Sequence, residues 1–163
     1  MTELARLNRL LCQAAEKAII LFMGIIATVI PYEVFGRYIL GDMPMWSGEA
    51  ATYSLAWVSM MGGAVGLRKG CQVGISLAAD KLPPRLASVI RLTGLWVMLA
   101  FLSVMLYYGF QQTWVNWRQI SPAIGIPMAL PYLALPAGFA LMWLFTLEEM
   151  LAICLPKRGS ERC

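Results

Sequence analysis

The sequence contains no histidine, and only 13% of its 163 residues are charged. The lack of histidine excludes an imidazole ligand for haem and a mixed Cys/His zinc site. It also removes the side chain that most often serves as a general acid or base. The low charge excludes an ordinary water-soluble domain, in which about 25% of residues are charged. No phosphate-binding glycine loop is present, so we expect no enzyme and no cofactor.

Long uncharged stretches take the place of a polar surface. Their interiors run over residues 18–32, 50–67, 92–117 and 119–147. A helix of about 20 apolar residues crosses the hydrocarbon core of a bilayer. The sequence therefore predicts an all-α integral membrane protein with a single membrane domain over 1–163. Its four transmembrane helices are expected at about 16–38, 49–68, 88–112 and 130–154.

Basic residues are concentrated in alternate gaps between these stretches. With the N-terminus in the cytoplasm, all of the 13 lysines and arginines except Arg37 and Arg118 lie on the inner side. The positive-inside rule then predicts that both termini are cytoplasmic. This distribution also argues against a nucleic-acid role for the net charge of +4.

The four cysteines, Cys12, Cys71, Cys154 and Cys163, all fall on the predicted inner side. Thiols stay reduced in the cytoplasm, so we expect no structural disulfide. Their spacing matches no metal-binding or redox motif.

The sequences of the two loops that flank the third predicted span also predict local structure. Between the second and third spans, apolar and polar residues alternate over 73–82, which predicts a short helix lying in the inner interface. Pro83 and Pro84 end that helix. Beyond Trp117, three prolines make a regular helix unfavourable until about Leu130.

Polar residues at the outer ends of the first two spans form the first candidate site. Glu33 and Arg37 stand four residues apart and can pair on one helix face. Glu49 lies at the start of the second helix, where the helix dipole favours a carboxylate. With Trp46, these residues form a predicted polar cluster that fixes helix geometry or contacts a partner. The alternative is an interfacial ion pair whose side chains extend to water.

The inner half of the second span contains Gly62, Gly63 and Gly66. Gly62 and Gly66 have the spacing that lets another helix backbone approach closely in lipid. We expect a helix-packing face here, within the bundle rather than between chains. Arg68 and Gln72 follow as a predicted contact at the inner loop.

Three groups of residues follow one another across the predicted spans. The first is Arg37-Tyr38 with Pro44, Trp46 and Glu49; the second is Gly62, Ala64, Leu67, Arg68, Gly70 and Val73; the third is Pro122-Ala123, Gly125, Ile126-Pro127, Tyr132, Leu135-Pro136 and Gly138. In order and spacing they resemble the small membrane subunit, DctQ-like, of tripartite ATP-independent periplasmic (TRAP) transporters. The chain departs from the family pattern at Gly36, Gly48 and Gln72.

The resemblance implies a scaffold subunit of a sodium-coupled importer of small organic anions in the bacterial inner membrane. Its implied partners are a large permease subunit that carries the substrate and ion sites, a periplasmic substrate-binding protein and membrane lipids. One alternative is an autonomous four-helix exporter in which Glu33 exchanges protons for a cationic drug. Another is a membrane-anchored adaptor without a transport role.

Overall fold

The computed structural model describes residues 2–41, 44–79 and 84–154, with side chains over 6–41, 44–70 and 88–153. Helices make up nearly all of these residues. They are α1 (Thr2–Phe35), continued by a π-helical turn (Gly36–Leu40); α2 (Met45–Ala79); α3 (Pro84–Val115), continued by a 3-10 turn (Asn116–Arg118); α4 (Ala129–Tyr132); and α5 (Ala134–Cys154).

A glycine ends the first helical segment, and a loop separates α3 from α4. Gly41 has a φ of 70°, a left-handed conformation that stops the chain from continuing as a helix. After the 3-10 turn the chain forms a loop closed by an isolated antiparallel bridge between Ile120 and Pro127. Helix resumes at Ala129, which confirms the prediction that regular helix is interrupted until about Leu130.

Within the described residues, three segments are long and apolar enough to cross a membrane: Arg6–Leu40, Ser88–Arg118 and Ala129–Ile153. They correspond to the predicted first, third and fourth spans. The predicted second span, 49–68, is helical as part of α2 but is not among the three. Its glycine, serine and threonine residues make it the least apolar of the four. Four spans therefore remain a prediction, as does the orientation of the termini.

The connection after the predicted second span differs from the expectation of a separate helix. Residues 68–79 continue α2 without a break, so α2 is 35 residues long. No proline interrupts this stretch, and an uninterrupted helix satisfies every backbone hydrogen bond from one turn to the next. The predicted positions 80–82 lie outside the described residues.

The long helices pack in the order α1, α2, α5, α3, so that α5 lies between α2 and α3. The rings of Phe22 and Trp57 stack between α1 and α2 with centroids 5.6 Å apart. A Cβ atom placed on Gly138 of α5 would lie only 2.7 Å from the Cβ of Met60 in α2. Small residues thus allow α5 to approach its neighbours closely, as helices do in lipid.

Few apolar side chains of the described region are fully buried. The core shared by α1, α2 and α5 comprises Cys12, Ala15, Met61, Ala64, Val65 and Phe145. Many large apolar side chains point outward instead, including Trp114, which is 81% exposed. Such a surface is stable when lipid rather than water surrounds the helices.

Candidate functional site

One carboxylate at the start of α2 holds the loop between α3 and α4. Glu49 Oε2 accepts a hydrogen bond from the Ser121 hydroxyl and another from the Ile124 amide, at 3.2 Å for the amide. Glu49 Oε1 accepts a hydrogen bond of 3.4 Å from the Ala123 amide. We call Glu49, Ser121, Ala123 and Ile124 the Glu49 clamp. It fixes the loop to α2 across more than 70 residues of sequence.

The clamped loop is also ordered by its own backbone. The Ser121 amide donates to Ile126 O at 2.9 Å, and the Met128 amide donates to Gln119 O at 2.8 Å. Gly125 turns the chain with a φ of 76°, which side-chain-bearing residues rarely adopt. Ser121 is 2% exposed, whereas Ile120 on the same loop is 67% exposed. The loop is therefore a fixed platform with an apolar outer side.

The other members of the predicted polar cluster, Glu33, Arg37 and Trp46, lie nearby in the chain. Glu33 is half-buried, and Arg37, in the π-helical turn, is exposed and takes part in an interaction. Trp46 packs against Tyr32 with ring centroids 6.0 Å apart. The hydrogen bonds that Glu49 accepts come from the loop at 121–124. The four-residue cluster remains a prediction.

The three glycines of the predicted packing face do not all face the same neighbour. A Cβ on Gly63 would meet Met142 Cε of α5 at 2.7 Å, so this glycine faces the bundle. Cβ atoms on Gly62 and Gly66 would meet nothing within 4 Å. Gly62 and Gly66, whose spacing suggested a close helix approach, therefore have no helix of this chain packed closely against them.

Farther along α2, Arg68 joins three helices. Its guanidinium donates to the Asn8 carbonyl oxygen of α1, lies 3.8 Å from Glu148 Oε2 of α5, and stacks 5.0 Å from the centre of the Phe145 ring. Asn8, which is fully buried, donates from Nδ2 to Glu148 Oε2 at 2.7 Å and to Leu144 O at 3.3 Å. Both bonds are donated by Nδ2, whereas the buried Oδ1 of Asn8 has no hydrogen-bond partner among the described residues.

Two further ion pairs extend this group of charges. Arg91 Nη2 of α3 donates to Glu149 Oε1 of α5 at 2.8 Å. Lys69 Nζ lies 2.9 Å from Glu16 Oε1 of α1, and its hydrogen bond to that carboxylate raises the pKa of Lys69. We call Asn8, Arg68, Arg91, Glu148 and Glu149 the Arg68 cluster. It links all four long helices at one end of the bundle.

The contact described in the middle of the bundle is neutral rather than charged. There, the Trp143 indole N–H donates to Ser103 Oγ at 3.0 Å between α5 and α3. Within the described part of the chain, no three side chains of the metal-ligating types come together. The charged contacts are thus concentrated toward the ends of the helices.

Sequence reasoning singled out Glu49 and Arg68 but not their partners. Gln72 lies in α2, and its side chain is outside the described region. Asn8 and Ser121 carried no signal, because a single polar residue does not reveal the helix that it faces. Arg91, Glu148 and Glu149 carried a usable signal: opposite charges lie at the same predicted membrane boundary on neighbouring spans.

Comparison with known proteins gives a family for this architecture. The family described as tripartite ATP-independent periplasmic transporters, DctQ component, matches residues 25–154. The chain is 25% identical over 154 residues to the C4-dicarboxylate TRAP transporter small permease protein DctQ of Vibrio cholerae, covering 78% of this chain and 65% of that protein. It is 23% identical over 148 residues to the sialic acid TRAP transporter small permease protein SiaQ of the same species, covering 91% of this chain and 86% of that protein.

A third relative is much longer. The chain is 26% identical over 117 residues to the isethionate TRAP transporter permease protein DctMQ of Oleidesulfovibrio alaskensis, covering 65% of this chain but only 17% of that protein. The chain thus spans just under two thirds of the C4-dicarboxylate relative and a small part of the isethionate relative. The family match covers most of the chain, including both the Glu49 clamp and four of the five residues of the Arg68 cluster. The chain therefore belongs to the DctQ component family of the tripartite ATP-independent periplasmic transporters.

Proposed function

We propose that this chain is the scaffold subunit of a sodium-coupled transporter that imports small organic anions across the bacterial inner membrane. All four long helices cross the bilayer, and both termini are cytoplasmic. A large permease subunit carries the substrate and ion sites and packs against this chain. A periplasmic substrate-binding protein delivers the substrate, and this chain helps to receive it.

The observation that carries this proposal is the distribution of charge. The ion pairs and the Glu49 clamp lie toward the helix ends, and the middle of the bundle offers the neutral Trp143–Ser103 contact. Secondary transporters bind substrate and ions near the bilayer midplane, at charged or polar groups. A chain of this kind supports a site in another subunit better than it forms one.

The open side of α2 supports packing against the large subunit. Gly48, Thr52, Ser59 and Gly66 are exposed on this helix. Gly62 and Gly66 leave room for a second backbone, and short side chains permit van der Waals contact between helices in lipid. In the isethionate relative, the matching segment is part of one long permease chain, as expected for a region in contact with permease helices.

The Glu49 clamp supports a receiving role at the opposite face from the Arg68 cluster. It fixes a loop that lies between two candidate membrane spans and exposes Ile120. A loop held rigidly before binding loses little conformational entropy when a soluble partner docks. The substrate class is supported by three relatives that are named for organic anions, namely C4-dicarboxylates, sialic acid and isethionate, whereas a fourth is named for ectoine, a zwitterion.

Co-purification tests the proposed contact with the large subunit. The chain and the large permease encoded beside it are expressed together, and the chain is affinity-purified. The wild-type chain and a Gly94→Leu control should retain the large subunit, because Gly94 is an equally open glycine on α3. Gly62→Leu and Gly66→Leu should lose it while the chain keeps its own thermal stability. Full retention in both variants would show that this face of α2 does not contact the large subunit.

A further inference from the structure

A cavity of about 230 Å³ lies between α2, α3 and α5 at the Arg68 cluster. Its charged lining consists of Arg68, Arg91, Glu148 and Glu149, and Leu67 and Ala152 form an apolar part of its wall. Typical sites for drug-sized ligands measure roughly 300–1,000 Å³. The volume therefore suits one polar headgroup rather than a large organic molecule.

One donor in this cavity lacks a partner. Arg91 uses Nη2 for its ion pair with Glu149, at 2.8 Å. Its Nε atom is buried and has no hydrogen-bond partner among the described residues. A buried donor without a partner is unfavourable, and such groups normally bind a ligand, an ion or ordered water. Arg91 lines the cavity and 37% of its side chain is exposed, so a small reorientation of this side chain would offer the unused N–H to a ligand there.

The level of the cavity in the bundle restricts what can enter it. Arg91 directly precedes the uncharged stretch 92–117. Glu148 and Glu149 directly follow the uncharged stretch 119–147. These positions are where the hydrocarbon core meets the headgroup layer. The molecules at highest local concentration there are phospholipids.

The charges of the lining are balanced. A ligand with negative charge alone would face the carboxylates of Glu148 and Glu149, and a ligand with positive charge alone would face two guanidinium groups. A zwitterion with a phosphate and an ammonium about one headgroup apart can satisfy both signs at once. Of the common phospholipid headgroups, phosphoethanolamine has this charge pattern and retains N–H donors.

We infer that this cavity binds the headgroup of a phosphatidylethanolamine-type lipid. A phosphate oxygen accepts a hydrogen bond from Arg91 Nε, and the ammonium donates to the carboxylates of Glu148 and Glu149. Arg68 stays engaged with Asn8 and Phe145 and contributes charge rather than a free donor. The lipid thereby links α3 to α5 and α2. This assignment depends only on the cavity in the membrane-embedded chain and not on the proposed transport role.

Native mass spectrometry tests the assignment. The full-length chain, with any subunit that co-purifies, is released from membranes and stripped of loosely bound lipid. It is then titrated with phosphatidylethanolamine, phosphatidylglycerol and phosphatidylcholine of identical acyl chains. We expect one phosphatidylethanolamine to be retained with about tenfold tighter binding than the other two, the size of effect that one charge-assisted hydrogen bond supplies. Thermal stability should rise with the same lipid preference.

Variants identify the cavity as the site. Arg91→Lys keeps a cation opposite Glu149 but removes the Nε donor, and should weaken phosphatidylethanolamine binding by about tenfold. The matched control Arg118→Lys changes an exposed arginine at the other end of α3 and should leave binding unchanged. If Arg91→Lys does not fold, Glu149→Gln serves instead, with the same expected loss of selectivity for the ammonium headgroup.

Several results would overturn the inference. Equal or tighter binding of phosphatidylglycerol would indicate a simple anion site, and equal binding of phosphatidylcholine would remove the role of the N–H donors. Retention of no lipid would mean that the cavity holds water only. Unchanged phosphatidylethanolamine binding in both cavity variants would place the lipid elsewhere on the chain.

Discussion

Asn8 shows how much a single buried side chain contributes to this bundle. It is 0% exposed and donates to Glu148 Oε2 at 2.7 Å and to Leu144 O at 3.3 Å. Asn8→Ala should lower the free energy of unfolding in mixed micelles by about 1–3 kcal/mol, because it leaves a carboxylate and a carbonyl without their donor.

The matched control is Asn116→Ala. Asn116 is also buried, but its Nδ2 donates to Gln112 O, one turn earlier in the same helix, at 2.7 Å. Because no second long helix is involved, Asn116→Ala should lower the free energy of unfolding clearly less than Asn8→Ala. Titration of the mixed micelles with SDS measures both losses. Equal losses in both variants would mean that the Arg68 cluster does not hold α1 to α5.

Glu49→Ala should release the loop between α3 and α4. The change removes the acceptor for Ser121 and for the amides of Ala123 and Ile124. Hydrogen exchange at residues 121–126 should become several-fold faster, and docking of the periplasmic binding protein should weaken. Glu33→Ala, at the end of α1, should leave exchange in this loop unchanged. Slow exchange in Glu49→Ala would show that the backbone bridge alone fixes the loop.

At the residue level, the sequence indicated which polar residues matter better than it indicated the residues that they contact. A carboxylate at the start of a helix and a basic residue at a membrane boundary are visible in the sequence, so Glu49 and Arg68 were expected to matter. Ser121 and Asn8 were not, because their roles depend on which helices are neighbours. That information lies in long-range packing and not in local spacing.

At the scale of helices, two glycines give a sharp comparison. A Cβ on Gly138 would meet the Cβ of Met60 at 2.7 Å and its backbone oxygen at 3.2 Å, atoms that cannot move without shifting α2. Gly138→Ala should therefore destabilise the bundle by about 1–3 kcal/mol, as overpacking of a tight contact does. Differential scanning of the detergent-solubilised chain measures this loss.

Gly63→Ala is the matched change on the facing helix. Its new methyl group would meet only the mobile end of the Met142 side chain, at Cε. The methionine can rotate away, so the loss of stability should be small. If Gly63→Ala were as harmful as Gly138→Ala, the contact between α2 and α5 would be uniformly tight rather than centred on Met60.

Helix ends were more predictable than helix neighbours. Pro122 and Pro127 lie in the loop where the sequence indicated an interruption, because proline removes a backbone donor whatever surrounds it, whereas Pro131 is accommodated within the short helix α4. The continuation of α2 to Ala79 was not predicted, since the alternating pattern over 73–82 suits a surface helix and a helical extension equally. The central position of α5 was beyond reach, because nothing in one sequence says which spans touch.

At the scale of the whole molecule, the charged contacts of the described residues lie toward the two ends of the helix bundle, and the contact described in its middle is neutral. The Arg68 cluster joins α1, α2, α3 and α5 at one end, and the Glu49 clamp joins α2 to the loop at the other. The absence of histidine and of a catalytic constellation in the sequence led us to expect no enzyme. Membership of a family of transporter permease subunits agrees with that expectation. Polar contacts thus hold the described helices together at both ends of the bundle, as the proposed scaffold role requires.

Uptake into proteoliposomes tests this account most directly. Vesicles are prepared with this chain alone, with the large permease alone, and with both, each supplied with the binding protein, a radiolabelled organic anion and a sodium gradient. We predict sodium-dependent accumulation only when both membrane chains are present. Accumulation by this chain alone, abolished by Glu33→Gln, would identify an autonomous transporter, and uptake by the large permease that is unaffected by omitting this chain would contradict the scaffold role.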